Sequence, residues 1–240
     1  MLVMEVGIFR IEMFNLYKPL KRKVMTQEIK RKLTRQKLID KGYELINMYG
    51  YHAVSIDLIL KEVKLTKGAF YYHFDNKHHF VQIIIKERIE KEIHSEFIEP
   101  INKRGNPIFV LTDLFQDKLI NDKSLDQNLG SPLTNIIVAL TYEHNDYNLK
   151  KQVYEILDQW KIAIINLLYR GIEDGYLDRH INTEPVAEFI INSLEGVRTL
   201  KRTTNNKALY YNYMEQFKNY LDILKPTKEE RSESRFSLAS

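Results

Sequence analysis

The stretch SIDLILKEVKLTKGAFYYHFDNKHHF, residues 55–80, decides how this chain is read. Ile56, Ile59, Leu60 and Val63 recur at helical spacing and give a first short helix one apolar face. Lys64 and Leu65 follow as a tight turn, with Leu65 placed to plug it. Thr66 stands where a hydroxyl caps the N-terminus of a second helix. Phe70 and Phe74, four apart, share the inner face of that helix. Lys67, Tyr71, Tyr72 and His73 are left outward, with Lys77 just beyond. Two short helices joined by a turn, the second offering donors and aromatic rings, form the arrangement that enters a DNA major groove.

Each outward residue suits that task for its own chemical reason. Lysine pairs with guanine O6 and N7, so Lys67 is the predicted base-edge reader. Gly68 has no side chain and Ala69 has little of one, which lets the helix sit deep in a groove. Tyr71 and Tyr72 hydrogen-bond phosphates or pack against thymine methyls. Without a partner, the same features reduce to a capping threonine, one buried ring and one surface ring. His73, His78 and His79 invite a metal reading. However, His73 and His78 are five apart, and Asp75-Asn76 break the helix between them. No metal and no cofactor is therefore expected.

Upstream, Leu38, Leu45, Ile46 and Tyr49 fall on one face of a helix predicted to run from Thr34 to Tyr49 and stop at Gly50. A long fourth helix is predicted from Lys77 to Glu99. Its inner face is Phe80, Ile83, Ile84, Ile93 and Phe97, and Pro100 marks its end. Further periodic segments cover 107–121, 132–144, 149–174, 184–202 and 207–224, separated by Asn-, Gly-, Pro- and Thr-containing joints. Low Gly and Pro content, 9 and 6 residues in 240, also favours an all-α chain. The absence of cysteine excludes disulfides and thiol chemistry, in keeping with a reducing cytoplasm.

Charge is divided along the chain. Residues 1–82 hold 15 Lys and Arg against 8 Asp and Glu, whereas residues 83–240 hold 21 against 24. The excess lies between Lys18 and Lys41, a basic arm beside the groove-reading helix, which is an electrostatic footprint for phosphate. Glu5, Arg10 and Glu12 interrupt the apolar N-terminus, so neither a signal peptide nor a membrane span is read there. No phosphate-cradling glycine loop, Gly-x-Ser-x-Gly elbow or His-Glu-x-x-His is found, and no enzyme is expected.

The segment resembles the DNA-binding signature of the TetR family of one-component bacterial transcriptional regulators. There an apolar helix and an Ala-Gly-Val turn lead into Ser-Lys-Gly-x-x-Tyr-x-His-Phe. Here Thr66-Lys67-Gly68-Ala69-Phe70-Tyr71-Tyr72-His73-Phe74 matches nearly throughout. Lys77 sits where the family has a phosphate-binding lysine. The usual turn glycine is replaced by Lys64, and a small residue of the preceding helix by Leu60. Met25 opens MTQEIKRKLTRQ, which looks like an ordinary start for the family.

The resemblance implies an all-α, TetR-like fold. Residues 1–33 form a basic N-terminal extension, disordered in part, and residues 34–80 a helix-turn-helix DNA-binding domain. Residues 81–224 form a helical effector-binding and dimerisation domain, and 225–240 a disordered tail. It implies a double-stranded DNA operator, a small-molecule effector and a second copy of the chain as partners. DNA contacts are expected from Thr66, Lys67, Gly68, Ala69, Tyr71, Tyr72, His73 and Lys77.

Gly130-Ser131-Pro132-Leu133-Thr134-Asn135 is similar to a Gly-Cys-x-x-x-Asn segment of one subgroup, whose helices wall the effector cavity; here Ser131 replaces the cysteine. Phe115, Leu119, Ile137, Leu140, Tyr142, His144, Tyr154, Trp160 and Ile164 are candidate cavity residues, although such stripes also build cores. Phe189, Ile190, Ser193, Leu194, Val197, Tyr213, Phe217 and Tyr220 are candidates for the dimer interface. The rival to a ligand-responsive repressor is a TetR-like ligand-binding or interaction dimer without specific operator binding, for which Lys64 and Leu60 are the sequence support.

Overall fold

A computed structural model describes residues 2–121, 130–141, 147–204, 206 and 208–227. Tyr142, His144 and residues 228–240 of the expected tail lie outside the described residues. All elements among the described residues are helical. Helix α1 is Leu2–Tyr49, α2 Ile56–Val63 and α3 Lys67–Tyr71. Helix α4 is continuous over residues 77–101 and contains two wide π-helical turns, Ile85–Ile89 and His94–Ile98. Helix α5 joins Pro107–Gln116 to a wide turn, Asp117–Asn121. Then come α6 (Pro132–Thr141), α7 (Tyr147–Glu173), α8 (Thr183–Thr204) and α9 (Ala208–Ile223).

Two expectations need correction. Helix α1 begins at Leu2 rather than Thr34. Residues 26–33 are exposed, and the buried face of α1 starts only at Leu38. Helix α4 does not stop at Pro100. The wide turn before it closes a hydrogen bond from Glu99 N–H to His94 O, so the helix has already left the i→i+4 ladder that proline interrupts.

Capping by short polar side chains defines the starts of the head helices. Ser55 Oγ accepts from Leu58 N–H at 3.1 Å, and Asn76 Oδ1 accepts from His79 N–H at 2.8 Å. Gly50 (φ 86°) closes α1 with its N–H on Ile46 O at 2.8 Å. Leu38, Ile39, Val54, Ile59, Leu60, Val63, Phe70, Phe74 and Phe80 form the head core. Tyr49, expected inward, is 58% exposed, whereas Ile39, not singled out in the sequence, is fully buried. In the larger body, α7 packs against α4 and α8, while α9 packs on α5.

The head is tied to α4 by charge. Arg35 donates two bonds to Glu87, at 2.9 and 2.7 Å, and its guanidinium lies 5.7 Å from the Phe74 ring centroid. These bonds hold the Glu87 carboxyl below its usual range. Arg88 bonds Asp40, and the Tyr43 hydroxyl bonds Glu92.

Candidate DNA-binding site

The turn before α3 absorbs the lysine that replaces the usual glycine. Lys64 adopts left-handed φ 56° and ψ 48°, a cost of about 1 kcal/mol for a residue with a Cβ. Its N–H reaches Lys61 O at 3.3 Å, and Leu65 N–H reaches Leu60 O at 3.1 Å. Leu60 is buried in the head core, so a larger residue there is accommodated too.

Thr66 caps α3, its Oγ1 accepting from Ala69 N–H at 3.3 Å. Phe70 and Phe74 point inward at 5.3 Å from each other, and both meet Phe80, at 5.2 and 4.7 Å. Burying each of these rings contributes about 1.5–3 kcal/mol, which makes this aromatic trio the foundation of the short α3 helix. The opposite face is free of such packing: Lys67, Tyr71 and Tyr72 are exposed. Gly68 is also exposed, and a Cβ added there would meet only Thr66 Oγ1, at 3.9 Å. The fold of the chain itself therefore does not require glycine at 68; its bareness leaves room for an approaching partner.

The exposed face carries donors of both kinds. Tyr72 OH accepts from Arg31 Nη1 at 3.1 Å, which leaves the phenol proton to donate outward and sets a guanidinium beside it. Lys67 Nζ lies 3.0 Å from Asp57, and that hydrogen bond raises its pKa. Lys67 is therefore cationic, held by a surface pair that a stronger anion can displace. His73 is half-buried with its ring 4.9 Å from that of Tyr72. Desolvation first, and then Arg35 and Arg31, lower its pKa, so it acts as a neutral hydrogen-bonding group at pH 7.

Lys77, expected at phosphate, also has a partner within the fold. Its Nζ donates to the Tyr51 carbonyl at 2.6 Å and sits 4.3 Å from that ring centroid, tying α4 to the 50–55 connector. Two cationic residues of α1 not singled out in the sequence, Arg31 and Arg35, also flank the recognition face. Their signal was the basic run itself, although which members touch α3 depends on helix phase. His79 accepts from Asp75 N–H through Nδ1 at 3.2 Å. Among the described residues no three His, Asp or Glu side chains converge as a metal site.

The expected effector and dimer residues are placed as follows. Phe115, Leu119 and Trp160 are buried, and Ile137 is half-buried. Phe115 stacks on Phe217 at 4.9 Å, and Trp160 tilts against Phe97 of α4 at 4.8 Å. Leu140 and Ile164 are buried, whereas Tyr154 is exposed, away from any interior cavity. Of the dimer candidates, Ile190, Leu194, Val197 and Phe217 belong to the core of their own subunit. Phe189 is exposed, and Ser193, Tyr213 and Tyr220 are half-buried at the surface.

The family model described as "Bacterial regulatory proteins, tetR family" matches residues 38–82, which span α1 through the start of α4. The HTH-type transcriptional repressor DhaR of Mycobacterium sp. (strain GP1) is 22% identical over 182 residues, covering 72% of this chain and 84% of that protein. The A-factor receptor protein of Streptomyces griseus is 33% identical over 187 residues, covering 77% of this chain and 60% of its own length. The crystal structure of a TetR-family regulator from Cytophaga hutchinsonii superposes with a TM-score of 0.72 at 22% identity. That match covers 83% of this chain and 98% of that one. With the capped recognition helix, its bare glycine and its outward tyrosines in place, this chain belongs to the TetR family of bacterial transcriptional regulators.

Proposed function

We propose that this DNA-binding transcriptional regulator is a cytoplasmic, homodimeric repressor that leaves a palindromic operator when a small apolar or aromatic compound enters its body. The observation that carries this reading is the two-sided α3 helix, with Phe70 and Phe74 buried beneath and Lys67, Gly68, Tyr71 and Tyr72 exposed above. Two such helices from a symmetric dimer would enter successive major grooves.

The dimer part is supported by a surface stripe on the last two helices. Phe189, Ser193, Gly196 and Leu200 follow one another at spacings of four, three and four on α8. Beside them lie Tyr213 and Tyr220 of α9. The Phe189 and Tyr220 ring centroids are 4.3 Å apart, and Ser193 Oγ meets Tyr213 OH at 3.0 Å. Facing stripes of this kind form an isologous four-helix bundle.

The effector part is supported by Trp160, an aromatic residue buried in the body that packs on Phe97 of α4. A ligand that displaces Trp160 presses on Phe97 and hence on α4. The resulting change in tilt alters the separation of the two heads. The ligand must favour the released state by a few kcal/mol to shift the population. The ligand-binding dimer without operator recognition loses its sequence support, because the geometry at Lys64 and Leu60 absorbs both departures.

The test is a gel shift on the DNA flanking the protein's own gene, comparing the wild type with Tyr72→Ala and Lys67→Ala. The expected result is specific retardation of a palindrome, lost in both variants. Weak retardation of every fragment, erased by salt, would refute sequence-specific binding.

A further inference from the structure

Thr134 and Asn135 are neighbours in the first turn of α6, and they hold opposite sides of the joint between head and body. Thr134 Oγ1 donates to Glu195 Oε2 of α8 at 2.6 Å. Glu195 in turn accepts from Arg198 at 2.9 Å. Arg198 is only 7% exposed; it lies 3.9 Å from Glu92 and 5.3 Å from the Phe97 ring centroid, both on α4. Thr134 thus fastens α6 to the body. Asn135 turns the other way: its Nδ2 donates to the Oδ1 of Asn47 and, at 3.4 Å, to the Asn47 carbonyl. Asn47 is in the last turn of α1 and is buried. One turn further along α6, the Ala139 carbonyl meets His52 Nε2 of the connector after α1 at 3.1 Å.

Helix α1 therefore runs from the recognition helix, where Arg31 reaches Tyr72, to this seat on α6. Its flank is held by α4 through Arg35, Asp40 and Tyr43. Two seats on different helices fix an angle that either one alone leaves free. We infer that the Asn135–Asn47 contact is a second seat for the DNA-reading head, so that α6 as well as α4 sets its orientation on the body. This rests on the regulator reading above and adds Asn135 as its positioning residue. Ile137, a candidate effector contact, is two residues along the same helix. A displacement of α6 is therefore passed to α1 without crossing α4.

The chain contains no cysteine, so two spin labels can be placed through Lys61→Cys on the head and Gln159→Cys on α7, both exposed positions. Labelled chains are diluted with unlabelled ones, so the head-to-body distance within one chain is read in a monomer or a dimer and without DNA. The labelled protein should give one narrow distance distribution. Asn135→Ala should at least double its width while helix content is retained, and Asn47→Ala should do the same. The double variant should be no broader than either single one, because both remove one contact. Asn135→Asp keeps the volume but replaces the donor with an acceptor facing Asn47 Oδ1, and should shift the mean distance. Unchanged distributions in all these variants would overturn the inference. Failure of operator binding in the gel shift would instead overturn the regulator reading, and the distance measurement does not depend on it.

Discussion

Gly42 lies in the interior of α1, where exposed glycine-to-alanine changes stabilise a helix by about 1 kcal/mol. Here the opposite result is expected. A Cβ at 42 would stand 2.4 and 2.5 Å from two atoms of the Phe80 ring and 3.1 Å from Ile84 Cδ1. Carbon contacts relax near 3.5–4.0 Å, so the ring must move by about 1 Å or more. Phe80 is fully buried and wedged against Phe70 and Phe74, which leaves it no space to take up that movement. Overpacking of this kind costs about 1–3 kcal/mol, which outweighs or cancels the propensity gain and leaves a net loss of up to about 2 kcal/mol.

The displacement also reaches the site, because Phe70 is the inner face of α3. Gly42→Ala should therefore weaken operator binding without touching any residue that faces DNA. Urea unfolding measures the first effect, and a gel shift on the operator measures the second. Adding Phe80→Leu to Gly42→Ala should restore part of the operator affinity by making room for the methyl group. A Gly42→Ala protein as stable as the wild type, with unchanged operator affinity, would refute the claim that the aromatic trio supports α3.

Other consequences are as direct. Gly196→Ala should leave the lone subunit stable, because an added Cβ meets nothing within 4 Å. It should nevertheless raise the dimer dissociation constant at least tenfold by sedimentation; an unchanged constant would remove this part of α8 from the interface. Glu87 has a folded pKa below its ordinary 4.5, chiefly through the Arg35 hydrogen bond. Its contribution is present above pH 4.5 and lost as pH falls through the lower folded value, so Glu87→Gln should flatten the acid arm of the stability curve. Parallel acid-unfolding curves would mean that the tie contributes nothing. Replacing Lys18, Lys21, Arg22 and Lys23 together by Gln should reduce the slope of log affinity against log salt by up to about 3.6, if all four meet phosphate. An unchanged slope would leave the basic arm without a role on DNA.

The recognition motif was legible because its signals are local. Two phenylalanines four apart, a capping threonine and a helix of one and a half turns admit one inward face, and the rest must point out. What the sequence left unseen depended on distant partners. Lys77 was matched to a phosphate-binding lysine by resemblance, and nothing in the sequence signalled that its ammonium also holds the Tyr51 carbonyl, 26 residues away. Helix α8 carries apolar residues on two faces, so spacing alone could not say that Ile190, Leu194 and Val197 serve the subunit's own core while Phe189 and Ser193 border the surface. Gly42 carried no warning, since nothing in the sequence brings Phe80 over it.

Helix α4 shows a signal that was present in the sequence and missed. Val81, Ile85, Ile89, Ile93, Phe97 and Ile101 are spaced at strict intervals of four, and all are buried. In an ideal α-helix each such step overshoots a full turn by about 40°, so five steps wrap the stripe roughly 200° around the axis. Val81 and Ile101 would then face opposite sides, and one of them would meet water. The two wide turns, closed by Glu90 N–H to Ile85 O and Glu99 N–H to His94 O, take up extra residues and keep the stripe on one side. Their placement matters for the proposed switch. Glu87 and Arg88, which hold the head, lie in the first wide turn. Phe97, which meets Trp160, lies in the second. Without the unwinding between them, the body end of the stripe, Phe97 and Ile101, would rotate away from the side on which Val81 and Ile85 are buried. The wide turns are thus what keep Phe97, and with it the Trp160 contact, in line with the buried face at the head end of α4.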